Sequence, residues 1–261
     1  LYFERHDGQA VTCEDFVSAM EDASGVDLSQ FRNWYSQAGT PQLKVRDEYD
    51  AEAQRYTLHV EQSCPATPGQ NEKQPFVIPL AIGLLGEAGN LPLRLATTPA
   101  DPESSDNTHM VLTVDRPQQT YIFEGVGERP VPSLLRHFSA PVRLYYDYSR
   151  ADLFSLMRRD DDGFVRWDSA QTLATRVIGD VEAQLLAREE PAVDSLLIEA
   201  CADLLQDESL DMALVAAMLR LPSEDYLAEL ASQSEGANVD TIHQARNVVR
   251  AFWYFGGRHG K

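Results

Sequence analysis

Basic residues are scarce in this chain of 261 residues: 22 Lys and Arg stand against 41 Asp and Glu, a formal net charge of −19. No basic stripe occurs, and that excludes binding to a phosphate backbone, so no nucleic acid is expected as a partner. Long apolar runs are also missing. The longest, near Ile78–Leu85, is interrupted by Pro79 and Gly83 and falls far short of the roughly 20 residues of a membrane span, so no membrane is expected either. Cysteine is sparse, with Cys13, Cys64 and Cys201 far apart and no C-x-x-C pair for structural zinc. Their number is odd, and the expected state is three reduced thiols in a cytoplasmic protein. No signal peptide is visible, although a chain that starts at Leu1 and not at Met leaves one upstream open.

Catalytic motifs are equally absent. The six histidines, His6, His59, His109, His137, His243 and His259, are never followed by Glu and never lie within five positions of one another. H-E-x-x-H, which sets two ligands and a general base on one helical face, is therefore missing. Ligands gathered from distant segments stay open. No G-x-S-x-G nucleophile elbow occurs. Cys13 and Cys201 fall on apolar helical faces and are expected in the core. Cys64 sits in a proline-bounded loop with no His near it in sequence. Asp160-Asp161-Asp162-Gly163 lacks the alternating ligands and final Glu of a calcium loop. It is expected to be a solvated acidic cluster at a helix start. Gly86-x-x-Gly89 has no basic residue close behind it for a phosphate. The run Phe252–Phe255 is expected to pack. No catalytic, cofactor-binding or metal residue is assigned.

What is present is a change of periodicity, twice. Residues 1–40 read as helical: Thr12 opens a capping-box-like start before Phe16, Val17, Met20 and Ala23. Asp27 is expected to cap a second helix carrying Leu28, Phe31, Trp34 and Tyr35, stopped by Gly39 and Pro41. Residues 41–149 alternate with period two, as in Leu43/Val45, Tyr56/Leu58/Val60, Met110/Leu112/Val114 and Val142/Leu144/Tyr146/Tyr148. Turn-rich breaks at Cys64–Gly69, Gly86–Asn90 and Thr98–Pro102 separate them, so seven or eight short strands are expected in a β-sandwich. From Arg150 to Lys261 apolar stripes return at helical spacing: Trp167 to Leu185, Val193 to Leu205, Met212 to Leu219, a helix capped by Ser223, and Val239 to Phe252. The expected class is multi-domain α+β: a short helical stretch, an all-β sandwich and an all-α array, with an α-solenoid start as one form of the last.

Several runs carry a resemblance. Leu1–Gly8, Thr12–Phe16 and Ala19–Ser24, then Trp34-Tyr35-Ser36-Gln37-Ala38-Gly39-Thr40-Pro41, resemble bacterial aminopeptidase N of the M1 family of zinc metallopeptidases. Pro65–Pro68, Glu72–Pro75, Phe138–Val142, Leu156–Arg158, Arg166–Gln171 and Leu221–Glu224 continue the likeness in order. The resemblance implies that residues 1–40 are the last helices of a thermolysin-like catalytic domain, 41–149 a β-sandwich domain, and 150–261 the start of a C-terminal helical domain. It implies zinc in the parent enzyme and none in this segment. Its implied partners are the rest of the parent catalytic domain and short peptides as substrate. The family's H-E-x-x-H and G-x-M-E-N runs do not occur here, so its working residues have no counterparts in this chain. Ala251–Lys261 departs from the expected polar helix, and its origin stays open. The sequence admits a second reading, a stand-alone sandwich and helical module that binds a protein partner. With the rest of the parent catalytic domain away, Phe16, Met20, Phe31 and Trp34 are expected to form an exposed apolar patch.

Overall fold

A computed structural model describes residues 1–96, 107–232 and 238–255, with side chains to Phe252 in the last stretch. The Thr98–Pro102 turn, the side chains of Trp253–Phe255, His259 and the glycines and basic residues of the tail lie outside the described residues. Nine α-helices and eight strands occur among the described residues. The chain divides into two compact units: Leu1–Ile82 with Pro92–Arg129 and Phe138–Asp147, and Gly83–Leu91 with Pro130–His137 and Tyr148–Lys261.

The first unit begins with α1 (Tyr2–His6) and α2 (Cys13–Ser24). The expected capping box is present: Thr12 Oγ1 accepts from Asp15 N, and Asp15 Oδ2 accepts from Thr12 N. Each such cap contributes about 1 kcal/mol. The helix expected from Asp27 is a correction. Asp27 Oδ1 accepts from Ser29 N in a turn, and α3 is only Asn33–Ser36. The reason lies in what the side chains bind. Gln30 donates to the carbonyls of Pro75 and Asp115, Asn33 to that of Pro75, and Trp34 Nε1 to that of Val77. These bonds fasten the segment to its own sandwich in an irregular path that a continuous helix does not offer.

Strands β1 (Gln42–Asp50), β2 (Arg55–Ser63), β6 (Gln118–Glu124) and β8 (Arg143–Tyr145) form a sheet in the order β6-β2-β1-β8. β1 pairs antiparallel with β2 and parallel with β8. The period-two residues Leu43, Val45, Tyr56, Leu58 and Val60 are buried, as their alternation requires. The expected strand through Val142–Tyr148 is shorter than its alternation: pairing covers only Arg143–Tyr145. In the second sheet, β3 (Ile78–Leu85) lies between β4 (Asn90–Leu91) and β5 (Met110–Val114), and β7 (Val131–Leu134) also pairs with β3. Gly86–Asn90 is the hairpin connection expected, closed by the Leu85–Asn90 register. Buried Gln62 joins strand to strand through bonds from Nε2 to the Phe76 and Val114 carbonyls and from Phe76 N to Oε1. Every polar atom of that amide side chain is thereby engaged, which removes the cost of burying it.

In the second unit α5 (Gly163–Leu186) is central, with α4 (Arg150–Arg159), α6 (Ser195–Gln206), α7 (Met212–Met218) and α9 (Val239–Phe255) packed on it. Leu173, Val177, Ile178 and Val181 meet Leu197, Cys201, Leu204, Ile242 and Val249 in one core. α8 (Glu224–Ser232) is capped by Ser223, whose Oγ accepts from Tyr226 N, as expected. Asp162, Asp194 and Asp211 cap α5, α6 and α7. The acidity of the chain thus serves helix starts, where carboxylates meet unpaired N–H groups. Trp167 departs from the stripe in which the sequence places it and is 37% exposed, its ring tilted against that of Phe164 at 5.9 Å.

Candidate functional site

The acidic run Asp160–Asp162 corrects the sequence reading most clearly. It stands at a helix start, as expected, but only Asp161 is solvated: Asp160 and Asp162 are 1% and 2% exposed. Asp162 Oδ1 caps α5 by accepting from Val165 N, and its Oδ2 accepts from His137 N. Asp160 Oδ1 accepts from Asp162 N at 2.8 Å and from Arg136 Nη2 at 3.1 Å.

Arg136 is the largest fully buried side chain of the described residues. Its Nε donates to Ser133 Oγ at 2.7 Å and its Nη2 to Asn90 Oδ1 at 2.9 Å, and Asp161 approaches at 3.0 Å. The chain reaches this position through strained backbone. Leu135 and His137, on either side, adopt φ of 57° and 56°, in the left-handed region that costs a non-glycine residue about 1 kcal/mol or more. Burial pushes the Asp160 carboxyl up from its ordinary value, while Arg136 and Ser133 pull it down. Its Oδ2 has no hydrogen-bond partner. Through Nε and Nη2 this buried cation holds Ser133 and Asn90 to Asp160 at the helix start.

The remaining candidates do not converge. His59 Nδ1 lies 3.0 Å from Thr120 Oγ1, His243 Nδ1 2.9 Å from Glu224, and His137 Nδ1 2.9 Å from Asp162. The His6 ring lies 5.4 Å from that of Tyr2, tilted against it. No group of three His, Cys, Asp or Glu that could hold a metal ion occurs among the described residues. Cys201 is buried as expected, but Cys13 is exposed, a correction, because it stands in the first turn of α2. Cys64 is half-buried, with Sγ 3.7 Å from the Ala38 carbonyl. The expected apolar patch is only partly present. Phe16 is 44% exposed, whereas Met20, Phe31 and Trp34 are half-buried, and the Trp34 ring lies 4.8 Å from that of Phe76. No described helix is long and apolar enough to cross a membrane.

Two family descriptions match the chain in succession. Residues 39–147 match a domain of unknown function, DUF3458, with an Ig-like fold, and residues 150–252 match DUF3458_C, described as ARM repeats. The chain is 46% identical over 231 residues to aminopeptidase N of Escherichia coli, a match covering 88% of this chain and 26% of that protein. It is 38% identical over 251 residues to aminopeptidase N of Haemophilus influenzae, covering 96% of this chain and 28% of the other. The crystal structure of Legionella pneumophila aminopeptidase A in complex with aspartic acid superposes with a TM-score of 0.76 at 29% identity, covering 97% of this chain and 26% of that one. The chain therefore spans about a quarter of the length of the relatives it matches. By this likeness, sustained in sequence through both the Ig-like and the ARM-like regions, the chain corresponds to a segment of the bacterial aminopeptidase N proteins.

Proposed function

We propose that this chain is part of a zinc-dependent aminopeptidase that removes N-terminal amino acids from peptides, and that it bridges and covers the catalytic domain without doing chemistry itself. The observation that supports this is 46% identity to aminopeptidase N over a stretch that makes up 26% of that protein. Under this reading residues 1–40 are the closing helices of the catalytic domain, 41–149 its neighbouring sandwich, and 150–261 the opening of a helical domain that limits access to short peptides. Exposed Phe3, Phe16 and Tyr35 support a face on the first stretch that meets the remainder of the catalytic domain.

The described residues do not fit zinc, since no three ligand-type side chains come together. Under this reading the zinc ligands and the general base lie in the rest of the longer protein. A cytoplasmic setting is part of the proposal, supported by three cysteines with no disulfide among the described residues.

The test is direct. The purified chain is assayed with aminoacyl p-nitroanilides with and without added zinc, and its zinc content is measured. No turnover and no stoichiometric zinc are expected, and zinc-dependent turnover overturns the non-catalytic role. A full reading frame that lacks H-E-x-x-H overturns the peptidase assignment itself.

A further inference from the structure

The ends of α4 and α6 and the start of α5 border an open cavity of about 260 Å³ lined by Arg158, Arg159, Arg166, Asp203, Gln206 and Asp207. The side chain of Arg166 is 9% exposed. Its Nε donates to the Met157 carbonyl at 3.0 Å and its Nη1 reaches the Asp160 carbonyl at 3.4 Å, both at the end of α4. Its Nη2 has no hydrogen-bond partner. Asp207 Oδ2 stands 3.8 Å away, too far for a hydrogen bond. The same side chain is held in place by Ser209, whose N and Oγ both donate to the other oxygen, Oδ1.

The other charges leave the lining net positive. Arg158 Nε is paired with Asp203 at 2.7 Å. Arg159 Nη1 donates to two backbone carbonyls, Gly86 at 3.0 Å and Glu87 at 2.6 Å, neither of which carries a full charge. Three guanidinium groups thus face two carboxylates in a chain whose net charge is −19. A buried guanidinium N–H without an acceptor is costly. An oxyanion supplies the missing acceptor together with compensating charge, and the guanidinium fork suits carboxylate and phosphate oxygens.

We propose that this cavity binds a small oxyanion, a carboxylate or phosphate group of a diffusible metabolite, with Arg166 Nη2 as the buried donor and Arg158 and Arg159 as cations at its mouth. The site does not depend on the peptidase reading. Burial draws the Arg166 guanidinium down from its ordinary value, with Asp207 and Asp160 opposing, so an added anion stabilises its charged form.

The experiment is isothermal titration of the full chain with inorganic phosphate and, separately, with malonate, at constant ionic strength in chloride. One saturable site is expected for at least one probe; phosphate alone identifies a phosphate ligand and malonate alone a carboxylate. Arg158→Gln weakens binding by about tenfold, the scale of one charge-assisted hydrogen bond. Asp207→Asn keeps the acceptor for Ser209 while removing the competing charge, so it tightens binding. Failure of both probes to saturate overturns the site, as does binding that neither Arg158→Gln nor Asp207→Asn changes.

Discussion

A Cβ built on Gly83 would stand 2.2 Å from Cζ of Arg136, so the guanidinium occupies the space a side chain would need on that strand. The far end of a long side chain ordinarily swings aside. Here it is fixed by Ser133, Asn90 and Asp160 and has no solvent to move into. Gly83→Ala is expected to destabilise the chain by about 3 kcal/mol, because the buried ion pair must break or the strand must shift. Urea denaturation measures this; a change under about 0.5 kcal/mol, the size of an ordinary surface substitution, would sink the argument.

Removal of the cation alone should be worse than removal of both charges. Arg136→Met strands the Asp160 carboxylate in the interior and is expected to cost about 3–5 kcal/mol. Adding Asp160→Asn neutralises the stranded group while keeping an acceptor for Asp162 N, so the double variant is expected to be more stable than Arg136→Met. A double variant less stable than the single would show that the pair is not the unit of stability.

Trp34 ties the irregular N-terminal segment to the sandwich through Nε1 and the Val77 carbonyl at 2.9 Å. Trp34→Phe keeps the ring contact with Phe76 and loses that bond, at an expected cost of about 1 kcal/mol. Limited proteolysis within residues 25–32 should quicken in the variant. Cleavage at an unchanged rate would mean that Gln30 and Asn33 suffice to hold the segment.

Acid should loosen the helical unit through Arg150, which pairs with both Asp180 and Asp194. The Asp194 carboxyl is held below its ordinary value, first by the Leu196 N–H and then by Arg150. A lowered carboxyl stabilises the fold fully above its unfolded value, and that contribution is lost as pH falls through the folded one. Melting temperature is therefore expected to drop below about pH 4, and less steeply in Asp194→Asn than in the parent. Parallel curves would remove Asp194 from the account.

The sandwich and the helices were legible because their apolar residues recur with the period of the element that buries them. Leu43/Val45 and Tyr56/Leu58/Val60 are buried on alternate positions, and Leu173, Val177 and Val181 at helical spacing. The Gly86–Asn90 hairpin was legible from its glycines. Asp160 and Asp162 were not, because a run of aspartates looks hydrated unless its cation is known, and Arg136 lies in a different element with nothing around it in sequence to mark it as buried. The failed helix after Asp27 has a similar cause: Gln30, Asn33 and Trp34 find carbonyls in residues 75–77 and 115, a long-range competition that local periodicity does not register. The open Nη2 of Arg166 was out of reach for the same reason, since an unsatisfied donor is defined only once the surroundings are placed.

The parallel pairing of β1 with β8 has a consequence for the order of assembly. β1 and β2 form a hairpin from neighbouring sequence, but the outer position beside the start of β1, Gln42–Lys44, is filled by Arg143–Tyr145, from the far end of the sandwich. During synthesis that flank of the sheet stays open until Tyr145 has left the ribosome, with the β1 backbone exposed as a template for wrong partners. Closure of such a distant contact is slow compared with the hairpin, so the last strand to emerge sets the rate at which the first becomes protected.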